Sequence, residues 1–166
     1  MGHTFGKIIM EENITTHPRR KAREATMQAL YALEINNGFP QDVLALCNDS
    51  FNNSDNDIYT RELFNCVVEK QSWADDLISQ CLENWEYGRV AILDKILLRM
   101  GVSEIYHIDD VPPKVSISEM VEIAKVYSTE ESSSFVNGIL DTIYNCLLYT
   151  SPSPRDLSTS RMPSSA

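Results

Sequence analysis

Apolar residues recur at helical spacing along almost the whole chain, and this periodicity is the feature that most restricts the fold. The first clear stripe follows the pattern i, i+3, i+7, i+8 and i+11, with Ala22, Ala25, Ala29, Leu30 and Leu33. No stretch shows sustained alternation of apolar and polar residues, which is the pattern of a half-buried strand. The sequence therefore predicts an all-α fold.

The stretch from Arg89 to His107 is apolar on nearly two helical faces, which predicts a helix at the centre of the core. Turn-forming residues interrupt the helical pattern in three places, at 36–38, 48–57 and 110–113. At the first of these breaks, we expect Gly38 to take the left-handed conformation that ends a helix.

The chain divides by composition into three segments. Residues 1–17 have no firm period and are interpreted as a flexible N-terminal arm, and residues 18–145 as one helical domain. Residues 146–166 are rich in Ser and Pro and are interpreted as a disordered tail. Because the tail resembles translated sequencing-adapter read-through, we interpret it as non-native, with a natural disordered tail as the alternative.

A cationic cluster stands out in a chain whose formal net charge is −10. Arg19, Arg20, Lys21 and Arg23 open the first helix, where positive charge opposes the helix dipole. Arg19 and Arg23 lie largely off the apolar stripe, and we expect replacement of Arg19, Arg20 and Arg23 by Ala to spare the fold. Such a cluster suggests a phosphate-bearing partner, and a solvated helix start without a partner is the alternative.

Other functional classes leave no motif in the sequence. No apolar stretch reaches the roughly 18 residues that span a membrane. The four cysteines form no C-x-x-C pair, which favours reduced thiols in the cytoplasm over zinc or disulfides. No phosphate-loop, hydrolase or metalloprotease string occurs. We therefore expect no catalytic residues, no metal, no cofactor and no membrane association.

Several separated segments, in order, resemble the NusB family of transcription antitermination factors. They are Arg19 to Glu24, Gln28 to Tyr31, Asn84-Trp85, Asp94 to Arg99, Asp110 to Val115 and Phe135 to Asp141. The resemblance runs from about Arg19 to Ile143. It implies a single all-helical domain of about seven helices in two packed sub-bundles.

The resemblance also implies a function. Members bind boxA-type single-stranded RNA together with NusE, a small-subunit ribosomal protein, in an elongation complex with other Nus factors, and so support processive rRNA transcription. Two alternatives stay open. One is a helical protein-interaction module, which includes a homodimer. The other is a detached RNA-binding domain of an rRNA cytosine methyltransferase.

The resemblance assigns two sets of site residues. Its RNA-binding set is Arg19, Arg20, Lys21, Arg23, Gln28, Tyr31, Phe135 and Asn137. The cations would neutralise phosphates, and the aromatic rings would stack on bases. From the sequence alone, a core position is the preferred interpretation of Phe135. We also expect Gly138, in the middle of a helix, to mark a close approach of two helices.

The partner-binding set is Asp94, Lys95, Arg99, Glu104 and Glu131. An acidic surface would repel RNA and attract a basic protein such as NusE. For Lys95 and Glu104 individually, an ordinary solvated surface is the preferred alternative.

Overall fold

The computed structural model describes residues 19–48, 55–83 and 86–150. These residues form seven α-helices and one short 3₁₀ turn, Tyr87–Arg89, and contain no strand. The helices are α1 (Arg20–Asn36), α2 (Pro40–Asn48), α3 (Asp55–Glu69), α4 (Gln71–Gln80), α5 (Ile92–His107), α6 (Pro113–Tyr127) and α7 (Glu130–Thr150). The all-α prediction is confirmed.

The helices form two groups that meet at α5. Helices α1, α2 and α3 pack on one another, and α6 packs extensively on α7. Helix α5 contacts α1, α3, α4, α6 and α7, so it lies between the two groups. Every residue of α5 from Ile96 to Ile105 is buried, which explains why its sequence is apolar on nearly two faces. The prediction of a central helix is confirmed.

Two expectations about glycines are wrong. Asn37, with φ of 49°, takes the left-handed conformation after α1, and no described glycine has a positive φ. An asparagine can fill this position because its short polar side chain tolerates the left-handed region. A Cβ added to the exposed Gly138 would meet no atom within 4 Å, whereas one added to Gly101 would lie 2.8 Å from Leu140. The close helix approach therefore joins α5 and α7 at Gly101.

The last helix extends beyond the predicted start of the tail at residue 146. Helix α7 continues to Thr150, and Leu147 is buried among the core residues. The helical spacing of Leu140, Ile143 and Leu147 carries the apolar stripe through this boundary. Residues 146–150 therefore belong to the packed helix.

Some sequence interpretations concern residues outside the described part of the chain. These are the arm over residues 1–17, the Asn84-Trp85 motif and residues 151–166 of the tail. Among the described residues, no helix combines the length and the apolar character needed to cross a membrane.

Candidate functional site

Arg23 is buried at the centre of the basic cluster, contrary to the expectation that it lies off the apolar stripe. Its side chain is 0% exposed, and its Nε donates a hydrogen bond of 2.7 Å to Glu104 on α5. The Tyr59 hydroxyl of α3 donates to the same carboxylate oxygen over 2.5 Å. Glu119 of α6 lies 3.7 Å from the Arg23 guanidinium. Arg23 thus joins four helices, and its side chain is enclosed by protein.

Arg20 and Arg19 are also engaged by carboxylates of other elements. Arg20 binds both oxygens of Glu119, with distances of 3.0 and 2.7 Å. Arg19 pairs with Asp110 at 2.8 Å and lies 4.1 Å above the Tyr59 ring. The hydrogen bond from Arg19 lowers the pKa of Asp110. These acids explain how a cationic helix start is tolerated.

Lys21 is the exposed member of the basic cluster. Its side chain makes no ion pair or hydrogen bond with the other described residues and is accessible to a ligand.

The sequence contains a signal for the burial of Arg23 that the apolar stripe alone did not reveal. Arg23, Thr26 and Leu30 are themselves spaced by three and four residues, and all three are buried. Glu104, within the buried stretch from Met100 to Ile105 of α5, also indicates a buried cation.

A surface groove of about 580 Å³ brings two of the predicted RNA-binding residues together. We call it the aromatic groove, and its lining residues are Met27, Gln28, Tyr31, Ala91, Ile92, Leu93 and Tyr127. Tyr31 is 45% exposed and Tyr127 is 41% exposed. The Tyr127 hydroxyl donates to Glu24 over 2.5 Å, which fixes its ring at the groove edge. Two flat, accessible rings suit the stacking of unpaired bases.

A second cavity, of about 290 Å³, lies between the starts of α5 and α7. We call it the acidic cavity, and its lining residues are Arg89, Val90, Ala91, Asp94, Thr129, Glu131, Ser132 and Phe135. Glu131 is exposed, and Asp94 is 7% exposed. Phe135 is partly buried against the core, in line with the preferred interpretation, and it lines this cavity and not the aromatic groove.

Asp94 is electrostatically strained within the acidic cavity. Its Oδ2 accepts a hydrogen bond of 3.1 Å from the Ser132 hydroxyl. Its Oδ1 is buried and has no hydrogen-bond partner among the described residues. Burial raises the pKa of Asp94 above its ordinary value, and the Ser132 bond opposes that rise only in part.

Two residues predicted at the partner surface are buried, and that placement is wrong. Glu104 is fully enclosed with Arg23. Arg99 is 8% exposed and donates two hydrogen bonds, of 2.7 and 3.2 Å, to Asp75 of α4. Both lie on faces of α5 that neighbouring helices cover, because α5 is surrounded. Lys95 is half-buried, with its Nζ 4.8 Å from the centre of the Tyr87 ring.

Asn137 stands apart from both surfaces. It is exposed on α7 and lines neither the aromatic groove nor the acidic cavity.

The fold and these two openings define an all-helical class of protein. Two helix groups meet at one central helix, and an aromatic and an acidic surface lie beside it.

The comparison with family models gives this architecture a family. The NusB family model matches residues 20–145, and the chain belongs to that family. The transcription antitermination protein NusB of Chloroherpeton thalassium is 42% identical over 140 residues. That match spans 76% of this chain and 61% of the length of the relative.

Solved structures agree with the fold. T. maritima NusB is 34% identical with a TM-score of 0.71, and the match covers 79% of this chain and 93% of that one. A chain from a crystal structure of antitermination factors NusB and NusE in complex with dsRNA is 25% identical with a TM-score of 0.71. It matches 77% of this chain and 96% of its own length.

Proposed function

We propose that this protein is a transcription antitermination factor that binds boxA-type single-stranded RNA together with NusE and acts in the cytoplasm with other Nus factors. The observation that carries the proposal is family membership over residues 20–145, which include both open surfaces. The related chain crystallised with NusE and dsRNA supports both classes of partner. The proposed role is one of binding, and its chemistry requires no catalytic residue.

RNA is proposed to follow a path from Lys21 to the aromatic groove. Lys21 precedes Gln28 by about two helical turns and Tyr31 by nearly three, or roughly 15 Å along the axis. A strand passing along this face can therefore place a phosphate near Lys21 and bases near Tyr31 and Tyr127. Arg19 is half-buried and adds positive potential at the same end of α1.

NusE is proposed to bind at the acidic cavity. Glu131 and Asp94 bring negative charge to the opening, and the chain as a whole carries an excess of acidic residues. A basic ribosomal protein would be drawn to such a surface, whereas RNA would be repelled by it. Phe135 supplies an apolar wall on which a partner side chain can pack.

Binding titrations with single-residue variants test the proposal. Fluorescence anisotropy with a boxA oligonucleotide should show weaker binding for Lys21→Ala, and the slope of log affinity against log salt should fall by roughly 0.7. Lys70→Ala removes an exposed cation outside both surfaces and is the matched control. Wild-type protein that binds neither boxA RNA nor NusE would overturn the proposal.

Charge reversal tests the acidic cavity separately. Glu131→Lys should weaken NusE binding through like-charge repulsion and leave binary RNA affinity largely unchanged. Glu69→Lys reverses an exposed charge on α3 that lines neither opening, and it should leave both affinities unchanged. Equal NusE affinity of Glu131→Lys and wild type would remove the acidic cavity from the proposal.

A further inference from the structure

One backbone segment forms a wall of both open surfaces. Arg89, Val90 and Asp94 line the acidic cavity, Ile92 and Leu93 line the aromatic groove, and Ala91 lines both. We call residues 89–94 the shared wall. Because the two openings lie on either side of it, a displacement of the shared wall alters the shape of both.

The shared wall is held at its start by the Tyr87 side chain. The Tyr87 hydroxyl donates a hydrogen bond of 2.5 Å to Asp75 Oδ1 on α4. The same carboxylate accepts two hydrogen bonds from Arg99 of α5, at 2.7 and 3.2 Å. One acid thus ties the 3₁₀ turn to two helices of the core.

The ring of Tyr87 makes a second contact with α5. The Lys95 ammonium lies 4.8 Å from its centre, and the ring packs against the core. Between the described residues, the backbone of the turn contributes two bonds, from Arg89 N–H to Glu86 at 2.9 Å and from Val90 N–H to Tyr87 at 3.2 Å. A turn with so few backbone bonds depends on its side-chain contacts for its position.

We propose that Tyr87 is a positioning residue that holds the shared wall through Asp75 and thereby sets the affinity for both partners. Tyr87 itself lines neither opening, so its effect on binding has to pass through the wall. The inference rests on the proposed function for the identity of the two partners. It adds that a single hydroxyl influences two separate binding surfaces.

Tyr87→Phe tests the inference because it removes the hydroxyl and keeps the ring. Amide hydrogen exchange measured by NMR should accelerate about tenfold at Val90 and Lys95, whose N–H groups bond within and just after the wall. The affinities for boxA RNA and for NusE should both fall about threefold or more. The exchange of core amides such as that of Leu97 should not change.

Tyr144→Phe is the matched control. Tyr144 is a half-buried tyrosine on α7 whose hydroxyl has no hydrogen bond to other described residues. This control should leave exchange at Val90 and both affinities as in wild type. Unchanged exchange at Val90 in Tyr87→Phe, or a loss of affinity for one partner alone, would overturn the inference. Wild-type protein that binds neither partner would instead overturn the proposed function, and the exchange rates would still decide whether Tyr87 holds the wall.

Discussion

At the scale of residues, the basic cluster divides into side chains that hold the fold and one that is open to a ligand. Arg23 and Arg20 face Glu104 and Glu119, whereas Lys21 faces solvent. Two like charges adjacent in sequence can differ completely in environment, because neighbouring helical positions are about 100° apart around the axis. A count of cations in this segment therefore overstates the number of phosphates that it can neutralise.

Replacing Arg23 with Met should lower the free energy of unfolding by about 3 to 5 kcal/mol, because the change leaves Glu104 buried without its cation. Lys21→Met makes the same chemical change at an exposed position and should alter stability by less than about 0.5 kcal/mol. Urea denaturation of the two variants measures the difference. Equal midpoints for Arg23→Met and wild type would show that the buried pair does not stabilise the fold.

The raised pKa of Asp94 predicts that this carboxylate makes the fold less stable at neutral pH than at acidic pH, the reverse of the usual effect of a carboxylate. Its folded pKa is raised above the unfolded value, ordinarily 3.8, so the folded state holds this proton more tightly than the unfolded state does. The group therefore costs stability above its folded pKa, and the cost disappears as the pH falls to 3.8 and below. As the pH falls from about 7 to about 4, the free energy of unfolding of wild type should therefore increase relative to that of Asp94→Asn.

The difference in unfolding free energy between wild type and Asp94→Asn, from urea titrations at several pH values, isolates this group from the other carboxylates. A difference that moves in the opposite direction on acidification would mean that Asp94 is stabilised as a carboxylate in the folded state.

At the scale of elements, the apolar stripe of α7 continues past the tail boundary predicted at residue 146. Ser and Pro become frequent after residue 150, and this composition suggested a boundary that began five residues too early. The packing of Leu147 is the better guide, since burial of an apolar side chain stabilises the helix whatever follows it in the chain.

Leu147→Ala should lower the free energy of unfolding by about 2 kcal/mol, through lost apolar burial and a cavity at the end of the core. Leu148→Ala is the control, because Leu148 is 59% exposed and one position further along the same helix. Thermal unfolding followed by circular dichroism distinguishes them. The same melting temperature for both variants would place the end of the packed domain before residue 147.

The helices and the central position of α5 could be predicted from the sequence, because apolar spacing is a local signal. The partners of the charged residues could not, since Arg23 and Glu104 are 81 positions apart and no local pattern relates them. No local pattern relates Asp94 to Glu131 either. These two residues were assigned to one surface only through the family resemblance. The shared wall was missed because it depends on Tyr87, a residue with no distinctive neighbours in the sequence.

At the scale of the whole molecule, the two openings lie side by side at the junction of the helix groups. If RNA fills one and NusE the other, each immobilises the shared wall and lowers the cost of ordering it for the second partner. We therefore expect positive coupling, typically about 1–3 kcal/mol. The structure requires no large rearrangement for this effect.

Linkage makes the coupling testable in both directions. NusE should raise the affinity for boxA RNA by the same factor by which RNA raises the affinity for NusE. Calorimetric titrations of each partner, with and without saturation by the other, measure the two factors. Affinities that do not respond to the second partner would show that the two surfaces act independently.

The four-helix contact around Arg23 also has a consequence for the timing of folding during translation. Arg23 leaves the ribosome 81 residues before Glu104, and Arg20 leaves 99 residues before Glu119. At a translation rate of about 5–20 residues per second, roughly 4 to 20 seconds separate the synthesis of each arginine from that of its acidic partner. During that interval the arginines stay hydrated, because an unpaired guanidinium is costly to bury. Helix α1 can therefore take its final place only after α6 has been synthesised, which makes assembly of the first helix group a late event.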